Sequence, residues 1–218
     1  MKDLIIIGAS GFGREVAWLV ERINKAAEAS GEHEWNLLGF IDDNPELEGK
    51  TVGGYPVLGG AACVSKYPDA MCVCAVGAAK TRKLIVEKPE FKNTRFATLI
   101  DPKVEISDRV AIGEGTIICA GTIVTVDISI GRHVIINLDC TIGHDAVLDD
   151  YVTLYPSVNV SGATHLSTCV ELGTGAQIIQ GKSVGEYAIV GAGAVIVRDI
   201  PAKCTAVGSP AKPIKFFE

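Results

Sequence analysis

The sequence predicts a small parallel α/β domain followed by a β-helix built of hexapeptide repeats. Three observations carry this. Short apolar runs alternate with helical spacings over the first hundred residues. From Ile106 to Ile196 every sixth residue is Ile, Leu or Val, sixteen in succession without an insertion. After Asp199 that period stops. A repeat of six is neither helical nor the alternation of an ordinary strand, and it marks a coil of three short faces, eighteen residues per turn.

Composition sets the bounds. The chain has 218 residues, 48% hydrophobic and 21% charged, enough for one large domain or two small ones with a real core. Net charge is −6 and no long basic run occurs, which argues against a nucleic-acid partner. No apolar run approaches the roughly 18 residues of a spanning helix. Met1-Lys2-Asp3-Leu4 leads straight into a strand-like run without a signal-peptide layout. Seven scattered cysteines, an odd number with no C-x-x-C pair, read as reduced thiols filling a core. A cytoplasmic protein without zinc is the expectation.

Within the N-terminal hundred residues, Leu4 to Ile7 suits a strand buried on both faces. Val16, Ala17, Leu19, Val20 and Ile23 then recur at helical spacing. "WNLLGFIDD" is a second strand ending in two aspartates, "AMCVCAVG" a third, "KTRKLIVEKPEF" a helix broken near Pro89, and "FATLI" a last short strand. Between the first strand and helix lies "GASGFG", residues 8–13. Amides at a helix N-terminus favour a phosphate, yet the spacing is G-x-x-G-x-G and not the dinucleotide fingerprint. A tight turn explains it equally well. Asp42 and Asp43, after the second strand, are placed to accept hydrogen bonds from a ribose or a base.

Within the repeats, each hexad turns a single apolar residue inward. The residue after it is often Gly, Asn, Asp or Ser, as at Gly113, Gly131, Asn137 and Gly143, and is assigned to the corner. Residues after 200 form a terminal cap or tail. Within "IGHD", His144 stands two residues after the inward Ile142, so its side chain points outward. It is either a surface histidine on a turn or a general base. Asp145 follows directly, and adjacent residues of an extended strand face opposite sides, so the two meet only if the corner permits.

These segments together resemble the left-handed β-helix, hexapeptide-repeat acetyltransferases. More narrowly, they resemble the sialic acid O-acetyltransferase and nucleotide-sugar 4-amino N-acetyltransferase family, which includes the bacillosamine pathway. The resemblance rests on "IIGASGFGREV", "GFIDD" at 39–43, the hexads, "IGHD" at 142–145, "GAGAVIVRDIP" at 191–201 and "AVGSPAK" at 206–212. It implies a Rossmann-like nucleotide-sugar-binding domain over residues 1–102, a left-handed parallel β-helix over 103–200 and a C-terminal cap or tail over 201–218. It further implies acetyl-CoA as co-substrate, and a homotrimer with active sites between neighbouring β-helices.

By position, His144 matches the family's catalytic base and Asp145 the acidic residue that would fix its tautomer. Gly162, one coil after His144, matches the glycine whose amide faces the thioester oxygen, and Asn137 a position near the acceptor. Gly8, Ser10, Gly11, Asp42 and Asp43 match the nucleotide site. Lys203, Lys212 and Lys215 lie in segments resembling those that line the coenzyme groove, where they meet coenzyme phosphates or are simply solvated. Phe12 departs from the pattern, since many relatives carry histidine there and phenylalanine donates no hydrogen bond.

A carbonic anhydrase with the same repeat holds zinc on three histidines. His133, His144 and His165 lack its spacing, so no metal is expected and His133 and His165 are read as surface or interface residues. The favoured function is N-acetylation of a nucleotide-linked amino sugar, preferably a UDP-4-amino-sugar, by direct attack without an acyl-enzyme. The alternatives are O-acetylation of sialic acid or another sugar, and a non-catalytic nucleotide-sugar-binding trimer.

Overall fold

The structure is a computed structural model and describes residues 1–28, 31 and 34–217. The chain divides into two compact units, one of residues 1–77 and 81–102, the other of 78–80 and 103–218. Among the described residues no helix is long and apolar enough to cross a membrane.

The first unit is built on strand β1 (Lys2–Ile7), helix α1 (Gly11–Ala27), β2 (Trp35–Ile41), β3 (Thr51–Val52), β4 (Tyr55–Gly59), β5 (Met71–Cys74), all but the first two residues of α2 (Ala79–Val86), and β6 (Leu99–Ile100). The sheet order is β3-β4-β2-β1-β5, and β1 pairs in parallel with both β2 and β5. Leu4 to Ile7 are buried because both faces of this central strand are covered. Helix α1 lays Val16, Ala17, Leu19, Val20 and Ile23 on the sheet, as their spacing predicts. Its Arg22 forms a two-pronged pair with the buried Asp101, Nη2 to Oδ1 at 2.9 Å. Strands β3 and β4 lie in a stretch that carries no clear period in the sequence; there Tyr55-Pro56 returns the chain antiparallel on Thr51-Val52.

The second unit stacks short parallel strands into three sheets. One runs through 105–106, 123–124, 141–142, 159–160, 177–178 and 195–196; the next through 110–112, 128–130, 147–148, 165–166 and 183–184; the third through 117–118, 135–136, 153–154, 171–172 and 189–190. Each partner lies eighteen residues on, as Ile123 pairs with Thr141 and Thr141 with Asn159. This is a parallel β-helix. Fourteen of the sixteen hexad residues, from Ile118 to Ile196, are buried, while Ile106 and Ile112 of the first coil are half-buried.

Two details differ from the reading of the sequence. A second inward column exists two residues earlier, including Thr116, Val134, Cys140, Ala146, Val152, Val158 and Val170, all fully buried. Period-two alternation turns both positions of a three-residue face to the same side, so each hexad contributes two inward groups, not one. The corner, too, is made of two distinct positions. Backbone with φ > 0 recurs every sixth residue from Gly115 to Gly193, three positions after the inward residue and not one. The glycine directly after the inward residue serves a close approach: a Cβ on Gly143 would lie 2.6 Å from the Gly162 nitrogen of the next coil.

Beyond 200 the eighteen-residue register shortens. Ile189 pairs with Thr205, sixteen residues on, and the strand Cys204–Val207 then pairs antiparallel with Lys212–Phe216. All seven cysteines are buried, and none is joined in a disulfide.

Candidate active site

Two sites emerge, one in each unit. In the first, the carboxyl ends of β1, β2 and β5 open on a cleft of about 150 Å³, lined by Ile7, Gly8, Ile41, Asp42, Asp43 and Phe91 among others. The strand order reverses here, with β2 on one side of β1 and β5 on the other, and such a switch point leaves a crevice at the carboxyl edge. Gly8 has φ +102°, and Gly13 packs so close to the Gly8 carbonyl that a Cβ would overlap it. Ser10 is the N-cap of α1 without a capping side-chain bond, and both Ser10 and Gly11 are exposed. Phe12 is half-buried.

Asp42 accepts the N–H of Ala9 and the N–H of Asn44, each at 2.9 Å, and so ties the glycine turn to the end of β2. Asp43 accepts the Ala61 N–H at 2.8 Å and pairs with the Lys88 ammonium at 2.6 Å. The Lys88 hydrogen bond, helped by the Ala61 N–H, holds the Asp43 carboxyl below its ordinary pKa. Lys88 is a contributor that its sequence context, a helix end before a proline, gave no reason to single out.

In the β-helix, His144 and Asp145 stand on one corner, and the gap between neighbours closes. Asp145 adopts φ +60°, which swings its carboxylate back so that Oδ2 lies 2.7 Å from His144 Nδ1. Aspartate is one of the few residues that enters this conformation readily. In the tautomer where Nδ1–H donates to this carboxylate, Nε2 keeps the lone pair that can accept a proton. His144 is half exposed, so substrate can reach it. One coil on, Gly162 lies beneath the ring: a Cβ at that position would sit 2.6 Å from His144 Nε2. The Ala163 N–H donates to the His144 carbonyl at 2.7 Å, which locks the two coils together at this point. The Gly162 N–H meets no acceptor among the described residues.

Other expected residues fall elsewhere. Asn137 stands at the corner that begins the Thr141-Ile142 face, whereas His144 stands at the corner that ends it. It is buried, and its Oδ1 takes the Leu138 N–H at 2.7 Å. Lys203, Lys212 and Lys215 are exposed near the last strands. His165 is exposed and 3.1 Å from Asp149. His133 corrects the surface assignment: it is buried and stacked on Tyr151 with ring centroids 5.3 Å apart. Tyr151 occupies the same corner one coil on, so the register itself stacks the rings. Among the described residues, no group of three or more His, Cys, Asp or Glu is arranged to hold a metal.

Comparison with known proteins bears on this arrangement. Residues 3–89 match the family model of the PglD N-terminal domain. The acetyltransferase domain of PglB from Neisseria gonorrhoeae, solved in complex with acetyl coenzyme A, is 31% identical, with a TM-score of 0.82 over 98% of this chain and 99% of that one. The chain belongs to the hexapeptide-repeat, acetyl-CoA-dependent acetyltransferases. The first unit of this acetyltransferase is a Rossmann-like domain and the second a left-handed β-helix. A point mutant of perosamine N-acetyltransferase from Caulobacter crescentus, solved with CoA and GDP-perosamine, is 27% identical with a TM-score of 0.84, over 99% of this chain and 98% of that one. A serine acetyltransferase from Synechococcus elongatus is 37% identical over 34% of this chain and 33% of its own length. The chain spans between a third and about half of the length of the curated relatives it matches.

Proposed function

We propose that the chain transfers the acetyl group of acetyl-CoA to the amino group of a nucleotide-linked amino sugar, a UDP-4-amino-sugar being favoured. The observation that carries this is the His144–Asp145 contact of 2.7 Å above Gly162. The solved relatives that hold acetyl-CoA, or CoA with a GDP-amino sugar, support it.

In this reading the acceptor nitrogen attacks the thioester carbonyl carbon. As the N–C bond forms, the carbonyl oxygen gains negative charge, which the Gly162 N–H stabilises. Collapse breaks the C–S bond and releases the coenzyme sulfur. His144 Nε2 takes the proton from nitrogen and passes it to that sulfur. Asp145 holds the ring and balances the charge it acquires. The α/β cleft, with Gly8, Ser10, Gly11 and Asp43, takes the nucleotide, while Asn137 approaches the acceptor from a neighbouring subunit of a homotrimer. Lys203 and Lys212 meet the coenzyme phosphates. The enzyme works in the cytoplasm.

Phe12 supports a second acceptor class, because it removes a donor from the turn that would face a phosphate or sugar: O-acetylation of sialic acid or a related sugar. Thiol release from acetyl-CoA with UDP- and GDP-4-amino-sugars, free sialic acid and serine separates the readings. The expected outcome is release with a 4-amino-sugar nucleotide alone, and a fall of about 10²–10⁴ in kcat for His144→Ala. Full transfer by that variant would remove histidine from the mechanism. Nucleotide binding without turnover on any acceptor would instead favour a non-catalytic binding trimer.

A further inference from the structure

The corner that carries Gly162 is closed differently from several of its counterparts. At the corners of Gly173, Gly185 and Gly191 the glycine carbonyl accepts the N–H of the residue three positions on, Ala176, Ala188 and Ala194, at 2.9 to 3.2 Å. The Ser161 carbonyl takes the side-chain hydroxyl of Thr164, at 2.5 Å. We propose that Thr164 is a positioning residue for acetyl transfer: its hydroxyl holds and polarises the Ser161–Gly162 peptide, so that the Gly162 N–H is presented to the thioester oxygen. The inference rests on the acetyl-transfer reading given above, in which that N–H stabilises the developing charge.

The direction follows from the peptide itself. The Ser161–Gly162 bond is trans, so its C=O and N–H point opposite ways. Thr164 is buried in the second inward column, two residues before the buried Leu166. Its hydroxyl draws the Ser161 carbonyl toward the inside of the corner, and the Gly162 N–H leaves on the other side, where the half-exposed His144 ring stands. The peptides on either side are tied down by the stacked coils. Ser161 N–H donates to the Ile178 carbonyl at 3.1 Å, Ala163 N–H to the His144 carbonyl at 2.7 Å, and the Gly162 carbonyl accepts the Gly181 N–H at 3.0 Å. A hydroxyl carries one hydrogen, and the Gly162 carbonyl is 3.5 Å from it, so that hydrogen belongs to Ser161. A hydrogen bond into a peptide carbonyl polarises the whole amide and strengthens its N–H as a donor.

A buried hydroxyl must find an acceptor somewhere, so the bond by itself shows only that Thr164 is satisfied. Its direction is what sets it apart. Thr116 and Thr122, the other threonines of this column, donate fifteen residues ahead, to the carbonyls of Gly131 and Asn137 in the next coil. Thr164 turns back onto its own corner, the one beneath the imidazole. Valine fills the same column at Val152, Val158 and Val170, so the packing there has no need of a hydroxyl.

Steady-state kinetics of the full chain with acetyl-CoA and a UDP-4-amino-sugar test this. Thr164→Val should lower kcat about tenfold, less than the loss of an oxyanion donor outright. KM for both substrates should stay within about twofold, and the midpoint of the pH profile should not move, because His144 is untouched. Thr164→Ser and Thr164→Ala leave the same space in the core and differ only in the hydroxyl; the serine variant should be about fivefold or more faster in kcat. Wild-type kcat in Thr164→Val would overturn the proposal. So would equal rates for the serine and alanine variants, or a loss that comes with a shifted pH midpoint. If the unaltered chain releases thiol with no acceptor, the acetyl-transfer reading fails and the inference falls with it; an active chain that Thr164→Val leaves unchanged refutes the inference alone.

Discussion

A methyl group at position 162 would lie 2.6 Å from His144 Nε2 and 2.7 Å from its Cε1, so Gly162→Ala must displace the ring. The backbone there has no positive φ to penalise alanine. The substitution should therefore cost about a hundredfold in kcat while leaving the thermal midpoint nearly unchanged. A parallel loss of stability would mean that the glycine serves the fold and not the imidazole. At this scale the sequence was legible where register alone decides. His144 and Gly162 are eighteen residues apart, hence on one corner of successive coils. It was not legible where a dihedral decides. Alternation sends neighbours to opposite faces, and only the left-handed turn at Asp145 brings its carboxylate to His144. His133 was misread because its burial comes from Tyr151 one coil away, a neighbour that position in a turn does not reveal.

The coil places two separate demands on its glycines, and they can be told apart. A Cβ on Gly143 meets the Gly162 nitrogen at 2.6 Å and the Ser161 carbonyl carbon at 2.9 Å, backbone that cannot yield. Gly175 has φ +69° and open space where a Cβ would stand. Gly143→Ala should lose about 1–3 kcal/mol by forcing two coils apart. Gly175→Ala should lose less than Gly143→Ala, about 1 kcal/mol, from backbone strain alone, since Ala163 already adopts this conformation at φ +52°. Chemical denaturation of both variants checks the order, and equal losses would erase the distinction. The hexads were readable as elements because Ile, Leu and Val recur without a gap, whereas β3 and β4 were not. Their sequence, Thr51-Val52 and Tyr55 to Gly59, is too short to display a period, and Pro56 argues against a strand.

The whole molecule keeps its seven thiols inside. Burial pushes the Cys72 and Cys74 thiols up to about 12 and Cys140 up to about 11, since a thiolate is costly in apolar surroundings. The native state thus holds these protons more tightly than the unfolded chain. Their contribution to stability is intact below the ordinary thiol pKa near 9 and is lost as the pH rises toward 11–12. The native chain should be inert to a thiol reagent at pH 8, reacting only on unfolding, and its thermal midpoint should fall progressively above pH 9. Rapid native labelling at Cys72 or Cys140 would contradict this. The division into two kinds of structure was visible in the change of period, and the cleft was not, because it depends on which strand lies beside which. The unbroken eighteen-residue pairing makes the β-helix a screw thread of fixed pitch. On such a thread, chain length is converted into angle. Removing six residues turns everything beyond the cut by a third of a revolution, so that His144 would face a different flank from the glycine meant to lie beneath it. Adding eighteen only lengthens the shaft.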